Sequence, residues 1–193
     1  MTLEEYASIP IAFEVGSILD VMTTANGLGE FVLTQRLLDV PYVKDYDSIN
    51  EEEPAQWARR FDMSNWVLFA ARAEGRRVGG AVVAFSTPGL IMLEGREDLA
   101  ILWDIRVSPE ARGQGIGSAL FHAAEAWARA KGCRQLKVET QNNNVAACRF
   151  YARHGCKLQS VHHSVYADLP EEIQFIWCKE LGSGWRLGSS TYQ

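Results

Sequence analysis

The chain has 193 residues, of which 47% are hydrophobic and 22% are charged, with a formal net charge of −5. This composition is typical of a globular protein, and the length suits one substantial domain rather than two. Lys and Arg are scattered along the chain, which argues against a nucleic-acid partner because phosphate binding needs a concentrated basic face. The notable charge run is acidic, Glu51-Glu52-Glu53, and it suits a solvated loop or a rim that attracts a cationic substrate.

The cysteines and the N-terminus indicate a reduced compartment. None of the four cysteines forms a CxxC pair or lies beside a His at metal-ligand spacing, so we expect buried thiols and no metal site. The first six residues are acidic and lack an apolar core, unlike a signal peptide, and no apolar run approaches the ~18 residues of a membrane helix. We therefore expect a cytoplasmic protein without a membrane partner.

The first half of the chain predicts mainly strands. Apolar segments at 11–21 and 31–38, split by Asn26-Gly27, predict two strands or a loose hairpin. Residues 41–56 are polar and acidic and predict a loop, followed by a short helix at 54–61 with Pro54 in its first turn. A strand pair at 65–73 and 77–85 follows, reversed by Glu74-Gly75.

Residues 99–107 form the most informative predicted strand. Its apolar residues recur at period two, which predicts one shared face for Leu99, Ile101, Trp103, Ile105 and Val107. Its first half is apolar on both faces, as in a central strand, whereas Asp104 and Arg106 make the second half mixed. This change predicts that the strand leaves the covered core and enters a site.

The second half of the chain alternates helices and strands. Apolar residues at 3-4 spacing predict an amphipathic helix over 116–130, and a strand follows at 136–140. A second helix is predicted at 144–154, stopped by Gly155, and then an antiparallel pair at 157–166 and 172–181. We expect a single domain over 1–181 and a flexible, Gly- and Ser-rich tail over 182–193, with an α/β fold around a sheet of mixed direction.

The segment between the 99–107 strand and the next helix is rich in glycine. It reads Arg112-Gly113-Gln114-Gly115-Ile116-Gly117-Ser118. A helix N-terminus carries unpaired N–H groups and partial positive charge, and glycines let an anion approach the backbone, so the segment predicts a phosphate cradle with Arg112 as a charged clamp. It lacks the Lys of a Walker P-loop, and a dinucleotide fingerprint that starts at Gly113 has Ser118 where its sixth position needs Gly.

Two segments together resemble the GCN5-related N-acetyltransferase (GNAT) superfamily. The first is the Arg-x-x-Gly-x-Gly pattern of 112–117, and the second is Asn144 followed by Ala147, Tyr151 and Gly155. The spacing of Asn144, Ala147 or Cys148, and Tyr151 predicts that they share one helix face. Cys156 stands where Phe is usual in the superfamily, a change that loosens a packing contact.

The resemblance implies a mostly antiparallel central sheet whose fourth and fifth core strands, here 99–107 and 136–140, splay apart around acetyl-CoA. It implies that the backbone of residues 105–107 pairs with the pantetheine arm and that a bulge lies near 104–106. The pyrophosphate would lie on the N–H groups of residues 113–118. The cofactor-binding residues implied in this way are Ile105, Arg106, Val107, Arg112, Gly113, Gln114, Gly115, Ile116, Gly117, Ser118, Asn144 and Tyr151.

The reaction implied is acetyl transfer to an amine that must first lose a proton. Asp104 and Glu139 are the carboxylates expected to bind the cationic substrate, and which of them or which water is the base stays open. By resemblance, the Val107 N–H would stabilise the oxyanion and Tyr151 would protonate the thiolate. Cys148 suits packing better than a nucleophile. His154, His162 and His163 are expected at exposed or strand-edge positions.

Short segments also resemble streptothricin acetyltransferases. They are residues 41–46, the Trp103-Asp104-Ile105 run, residues 138–144 and Val165-Tyr166. The hypothesis is an enzyme that acetylates a primary amine of a small cationic acceptor, such as a streptothricin-type antibiotic, and so confers antibiotic resistance. A protein or peptide N-acetyltransferase and a non-catalytic acyl-CoA sensor are the alternatives. The oligomeric state is open, with a homodimer through the terminal strands as one option.

Overall fold

The computed structural model describes residues 1–27, 29–49 and 52–182, so Glu51 and most of the expected tail lie outside the described residues. Four helices and eight strands follow one another along this part of the chain. Among these residues, no helix is long and apolar enough to cross a membrane. The elements are α1 Leu3–Ala7, β1 Phe13–Thr23, β2 Phe31–Lys44, α2 Pro54–Arg60, β3 Val67–Ala73, β4 Arg76–Phe85, β5 Leu99–Val107, α3 Ile116–Ala130, β6 Gln135–Gln141, α4 Val145–Arg153, β7 Lys157–His162 and β8 Gln174–Glu180.

The strands form a six-stranded sheet of order β3-β4-β5-β6-β8-β7 and a separate β1–β2 hairpin. All neighbouring strands pair antiparallel except β5 and β6, which are parallel. Helices α3 and α4 pack in the apolar core on one face of the six-stranded sheet, and α1 and α2 in the core on the other face. The predicted α/β fold with a mostly antiparallel sheet is confirmed.

The β1–β2 hairpin is longer than predicted. Strand β2 runs to Lys44, although residues 41–56 were expected to form a loop. The register passes from Leu37 opposite Ser17 to Tyr42 opposite Val15, so residues 38–41 have no partner in β1. Pro41 lies in this unpaired stretch, where its missing N–H removes no ladder hydrogen bond. The loop therefore begins after Lys44 and not at Pro41, as the sequence predicts.

Helix α1 was not predicted. It is five residues long and begins with a capping box between Thr2 and Glu5. Tyr6 is fully buried against the sheet, and a Cβ on Gly80 would lie 2.6 Å from its ring. The absence of a side chain at Gly80 therefore gives the Tyr6 ring its place beside β4 and β5.

A bulge at Trp103 corrects the predicted faces of β5. Val82 lies opposite Asp104 and Val83 opposite Leu102, so Trp103 has no partner in β4. One extra residue moves every following side chain to the other face. Ile105 and Val107 therefore pack with α3 and not with Leu99 and Ile101. The bulge expected near 104–106 lies just before that range.

The last two strands are shorter than predicted. Strand β7 ends at His162 and β8 begins at Gln174. Ser164 has a φ of 58°, a left-handed conformation that does not continue a strand. The connecting loop that follows carries Tyr166 to the open end of the cleft described below.

Candidate active site

The main cavity lies where β5 and β6 separate. The two strands pair from Leu99 with Gln135 to Ile101 with Lys137, and the pairing stops there although both strands continue. A cavity of about 1380 Å³ opens beyond that point and is lined by the ends of both strands, by the glycine-rich turn and by α4. The predicted splay of these two strands is confirmed.

The peptide groups of Ile105 and Val107 point into this cleft. Ser108 donates its N–H to Val78 on β4 at 2.9 Å. In an antiparallel ladder, residues that bond to the neighbour alternate with residues whose peptide groups point away from it. The register places Val107 opposite Gly79, one residue from this bonded pair. The N–H and C=O groups of Ile105 and Val107 therefore face the gap towards β6, where an extended ligand can pair with them.

The glycine-rich turn presents unpaired N–H groups to the same cavity. Gly113 and Gly115 have φ values of 77° and 82°, a region that favours glycine, and Gly115 is the N-cap of α3. Within the described residues, the N–H groups of residues 113–118 donate to no other backbone carbonyl. The turn is an anion site of the kind that helix N-termini provide.

Three side chains of the turn have other partners. Arg112 donates from Nε to the Val107 carbonyl at 3.0 Å and from Nη2 to the Ala12 carbonyl at 3.1 Å, so it braces the turn while lining the cavity. Gln114 donates to the Glu110 carbonyl at 3.2 Å, and Ile116 packs in the core. Neither Gln114 nor Ile116 lines the cavity with its side chain, so their backbone N–H groups are what they offer an anion.

Helix α4 closes the cavity on the β6 side. Asn144 is its N-cap, and its Oδ1 accepts the Ala147 N–H at 3.1 Å. Asn144, Ala147 and Tyr151 all line the cavity, as their spacing predicts. Cys148 is buried in the core instead, with Sγ 3.4 Å from the Thr140 hydroxyl. Burial raises the pKa of the Cys148 thiol to about 11, so it stays protonated and is a poor nucleophile.

The phenol of Tyr151 has no hydrogen-bond partner among the described side chains and backbone groups, although the residue is 4% exposed. It lines the cavity between the two strands. Burial, and next the negative charge of Asp104, raise the pKa of this phenol well above its ordinary value. The hydroxyl therefore keeps its proton at neutral and moderately alkaline pH and can donate it into the cavity.

Asp104 is held in a buried charge network. Its Oδ1 accepts the Tyr6 hydroxyl at 2.6 Å, and its Oδ2 accepts Arg106 Nη2 at 2.5 Å. Arg106 is 1% exposed and also donates to Asp47 at 2.7 Å. Burial alone lowers the pKa of the Arg106 guanidinium, but attraction to Asp104 and Asp47 outweighs it and raises that pKa.

Arg106 lines the cavity, as the resemblance implies, but its side chain is bound within this network. The Arg106 side chain lies on the sheet face that α1 covers, together with the carboxylates of Asp47 and Asp104. Its peptide groups point to Gly80 on β4, because Arg106 alternates with Ile105 and Val107. Arg106 thus organises the carboxylates, and the cleft receives the peptide groups of its two neighbours.

Glu139 lies near the end of β6 in a polar network that contains no cation among residues 1–27, 29–49 and 52–182. Its carboxylate accepts hydrogen bonds from the Tyr166 hydroxyl at 2.5 Å, from Gln174 at 2.8 Å and from Gln141 at 3.1 Å. Tyr46 donates to Gln141 at 2.7 Å and extends the network across the cavity. Oε2 receives one of these bonds, so it retains room for another donor.

The cleft, the turn and α4 have counterparts in known proteins. The model of the Acetyltransferase (GNAT) family matches residues 32–156. The chain belongs to the GNAT acetyltransferase family. It is 38% identical over 151 residues to streptothricin acetyltransferase A of Bacillus subtilis (strain 168), covering 77% of this chain and 79% of that protein.

Solved structures agree with this membership. The chain is similar to nourseothricin acetyltransferase, with a TM-score of 0.72 and 25% identity. The match covers 93% of this chain and 92% of that one. The chain has the fold of a Bacillus anthracis str. Ames protein solved in complex with acetyl coenzyme A, with a TM-score of 0.71, 22% identity and coverage of 93% and 96%. The chain is thus an acetyl-CoA-dependent N-acetyltransferase, and its splayed strands and unpaired N–H groups suit that co-substrate.

The other end of the GNAT cavity is aromatic and acidic. Trp57, Phe61 and Trp103 contribute an aromatic wall, and Trp66 packs behind it with its Nε1 bonded to Thr87. The acidic side chains that line the cavity are Asp47, Glu52, Asp104, Glu139, Asp168 and Glu172.

Several residues of this end were missed from the sequence. Tyr6 and Asp47 lie 98 and 59 positions from the partners they contact on β5, and nothing local to them signals the contact. Glu172 forms a buried ion pair with Lys44. Tyr166 belongs to the segments that resemble streptothricin acetyltransferases, but the sequence predicts no role for it.

The histidines occupy two kinds of position. His162 and His163 are exposed, as expected. His154 is half-buried at the end of α4, and its Nε2 lies 3.0 Å from the Ser118 hydroxyl. Ser118 lines the cavity, so this histidine contacts a residue of the glycine-rich turn.

Proposed function

We propose that the chain transfers the acetyl group of acetyl-CoA to a primary amine of a small cationic acceptor of the streptothricin type, by direct attack in a ternary complex. The observation that carries this proposal is the acidic end of the cavity opposite the glycine-rich turn. A relative at 38% identity bears the name streptothricin acetyltransferase A, which favours the same class of acceptor.

The charges at this end leave an excess of carboxylate. Glu172 is compensated by Lys44, and Glu52 lies 3.1 Å from Arg60. Asp104 and Asp47 share the single guanidinium of Arg106, so this trio carries one net negative charge. Within the part of the chain that the structure describes, the partners of Glu139 are two amides and a phenol, and no cation among these residues neutralises its charge. A cationic amine supplies the missing positive charge.

The donor end holds acetyl-CoA by its backbone. The N–H groups of residues 113–118 bind the pyrophosphate, and the peptide groups of Ile105 and Val107 pair with the pantetheine arm. When bound, acetyl-CoA supplies a thioester whose acetyl group an amine can accept. The Val107 N–H then stabilises negative charge on the carbonyl oxygen.

The proton transfers fall to two groups that line the cleft, Glu139 on β6 and Tyr151 on α4. Glu139 binds the substrate ammonium and accepts its proton directly or through a water, which leaves a neutral amine as the nucleophile. Tyr151 keeps its proton because its pKa is raised, and it donates that proton to the departing thiolate. Asp104 is fixed by Arg106 and Tyr6 and contributes negative charge to the acceptor end.

The test compares kcat/KM for three amines: a streptothricin-type antibiotic, an aminoglycoside and a peptide with a free N-terminus. We expect the cationic antibiotic to be preferred and its kcat/KM to fall with added salt, because the recognition is electrostatic. Glu139→Gln should lower that kcat/KM by about tenfold to a hundredfold, the range for a lost charge-assisted hydrogen bond, with acetyl-CoA affinity unchanged.

Glu110→Gln is the matched control, since it removes the same charge from an exposed residue that does not line the cavity. A preference for the peptide, or equal effects of the two substitutions, contradicts the proposed acceptor class.

A further inference from the structure

His154 joins the end of α4 to the first turn of α3. Its Nδ1 lies 2.8 Å from the Phe150 carbonyl, and its Nε2 lies 3.0 Å from the Ser118 hydroxyl oxygen. Its ring also packs against Phe150 and Phe121, with centroid distances of 4.2 and 5.0 Å. The imidazole is therefore held in place by two helices while one of its bonds ends on a cavity-lining residue.

The two contacts fix which nitrogen of neutral His154 carries hydrogen. A carbonyl oxygen can accept but cannot donate, so Nδ1 must be the donor to Phe150. In the neutral ring, Nε2 then has no hydrogen and must accept the one hydroxyl hydrogen of Ser118. That hydrogen points at the histidine, and Ser118 turns oxygen lone pairs towards the cavity.

This arrangement conflicts with an anion at the glycine-rich turn. A pyrophosphate oxygen accepts hydrogen bonds and is repelled by the lone pairs of Ser118. If His154 binds a proton, Nε2–H donates to the Ser118 oxygen, and the serine hydrogen is released towards the cavity. We propose that His154 is a positioning residue that takes up a proton when acetyl-CoA binds, so that Ser118 donates to the pyrophosphate.

Charged groups on three elements surround this histidine. From α3, His122 lies 5.5 Å away by ring centroids and contacts Glu125 at 2.9 Å. From β8, Lys179 donates to the His154 carbonyl and lies 3.7 Å from Glu125. Arg153 precedes it on α4. The charge that changes upon ligand binding is the pyrophosphate, whose negative charge favours the imidazolium.

The test measures the Kd of CoA by calorimetry from pH 6 to pH 8, so no turnover is involved. Because the complex holds a proton that the free protein lacks, affinity rises as pH falls through the range where histidine titrates. We expect the wild type to bind CoA about threefold to tenfold more tightly at pH 6 than at pH 8. The proton uptake should also appear as a buffer-dependent binding enthalpy.

Three variants separate the explanations. The titration of the CoA phosphates contributes the same pH dependence of Kd in the wild type and in every variant. His154→Gln should remove the pH dependence beyond that contribution, and Ser118→Ala should remove most of it. His162→Gln is the matched control, because it replaces an exposed histidine whose ring contacts Ser160, and it should keep the wild-type profile. The proposal is overturned if His154→Gln and the wild type share one pH profile, or if Ser118→Ala keeps the full dependence.

NMR of the wild-type His154 ring covers the case in which a variant does not fold. At a fixed pH, addition of CoA should move the ring-nitrogen chemical shifts from those of a neutral towards those of a protonated imidazole, and unchanged shifts overturn the proposal. This inference concerns the acetyl-CoA site alone. It can fail while the proposed acceptor is correct, and it can hold while the proposed acceptor is wrong.

Discussion

At the scale of single residues, Tyr151 has the environment of a proton donor. It is buried, it lines the cleft, and its phenol has no hydrogen-bond partner within the described chain. The hydroxyl is not among the fully buried polar atoms without a partner, so it is accessible from the cavity that Tyr151 lines, where a reacting group can accept its hydrogen bond. The family pattern in the sequence pointed to this residue, but its burial and its missing partner are visible only in the fold.

Tyr151→Phe tests this donor role. The change should lower kcat by about a hundredfold or more, the lower end of general acid catalysis, while the Kd of acetyl-CoA stays the same. Because its pKa is raised, the Tyr151 phenol stays protonated to higher pH than free tyrosine. Deprotonation of this phenol should therefore not limit kcat below about pH 10. Single-turnover kinetics measure this, and an unchanged kcat would exclude the acid role.

For Asp104 we predict an effect on stability, because both of its carboxylate oxygens already accept hydrogen bonds. Asp104→Asn leaves Arg106 buried with Asp47 as its remaining carboxylate partner. Breaking a buried ion pair in this way should cost about 3 kcal/mol of unfolding free energy. Urea denaturation measures it. The comparison is Asp98→Asn, whose partner Arg96 has a side chain that is 33% exposed against 1% for Arg106, and whose effect should be far smaller.

If Asp104→Asn is as stable as the wild type and loses kcat alone, Asp104 acts on the substrate directly and the structural assignment is wrong.

At the scale of elements, the sequence predicted the parts with strong periodicity. Helices α3 and α4 and strands β3 to β6 lie within a few residues of their predicted bounds, because their apolar spacing and flanking glycines are local signals. The bulge lies at Trp103, just before the expected range of 104–106. The predicted faces of Ile105 and Val107 were therefore wrong. Register is set by pairing with β4, which local spacing does not encode.

Helix α1 shows the same limit. Five residues are too few to produce a periodic pattern, and an isolated helix of that length is unstable in water. Its stability comes from Tyr6 packing at Gly80 and bonding to Asp104. The acceptor end was hard to predict for this reason, because Tyr6, Asp47 and Glu172 meet there from distant parts of the chain.

The start of α3 allows a prediction about the turn. Gly115→Ala should destabilise the fold by roughly 1–2 kcal/mol through its positive φ alone, since a Cβ there meets nothing within 4 Å. It should also weaken CoA binding, because the Cβ stands beside the N–H groups that hold the anion. Gly16→Ala is the control, with equally open space and no positive φ. Equal effects of the two changes on CoA affinity would contradict the anion site.

At the scale of the whole molecule, the cavity has two ends with different origins. The proposed donor end is built largely from backbone groups of β5 and α3, which short sequence motifs predict, and the family model matches the residues that carry these motifs. The acceptor end is built from side chains of α2, β5, β6 and three connecting loops. Such a pocket shares no motif between relatives, so its substrate must be argued from charge and shape.

The most direct test of the proposed reaction is intact-mass analysis of a streptothricin-type antibiotic incubated with the chain and acetyl-CoA. We expect the antibiotic to gain one acetyl group on a primary amine, with one CoA thiol released for each acetyl group transferred. Thiol release without an acetylated antibiotic, or acetylation confined to peptide N-termini, would contradict the account.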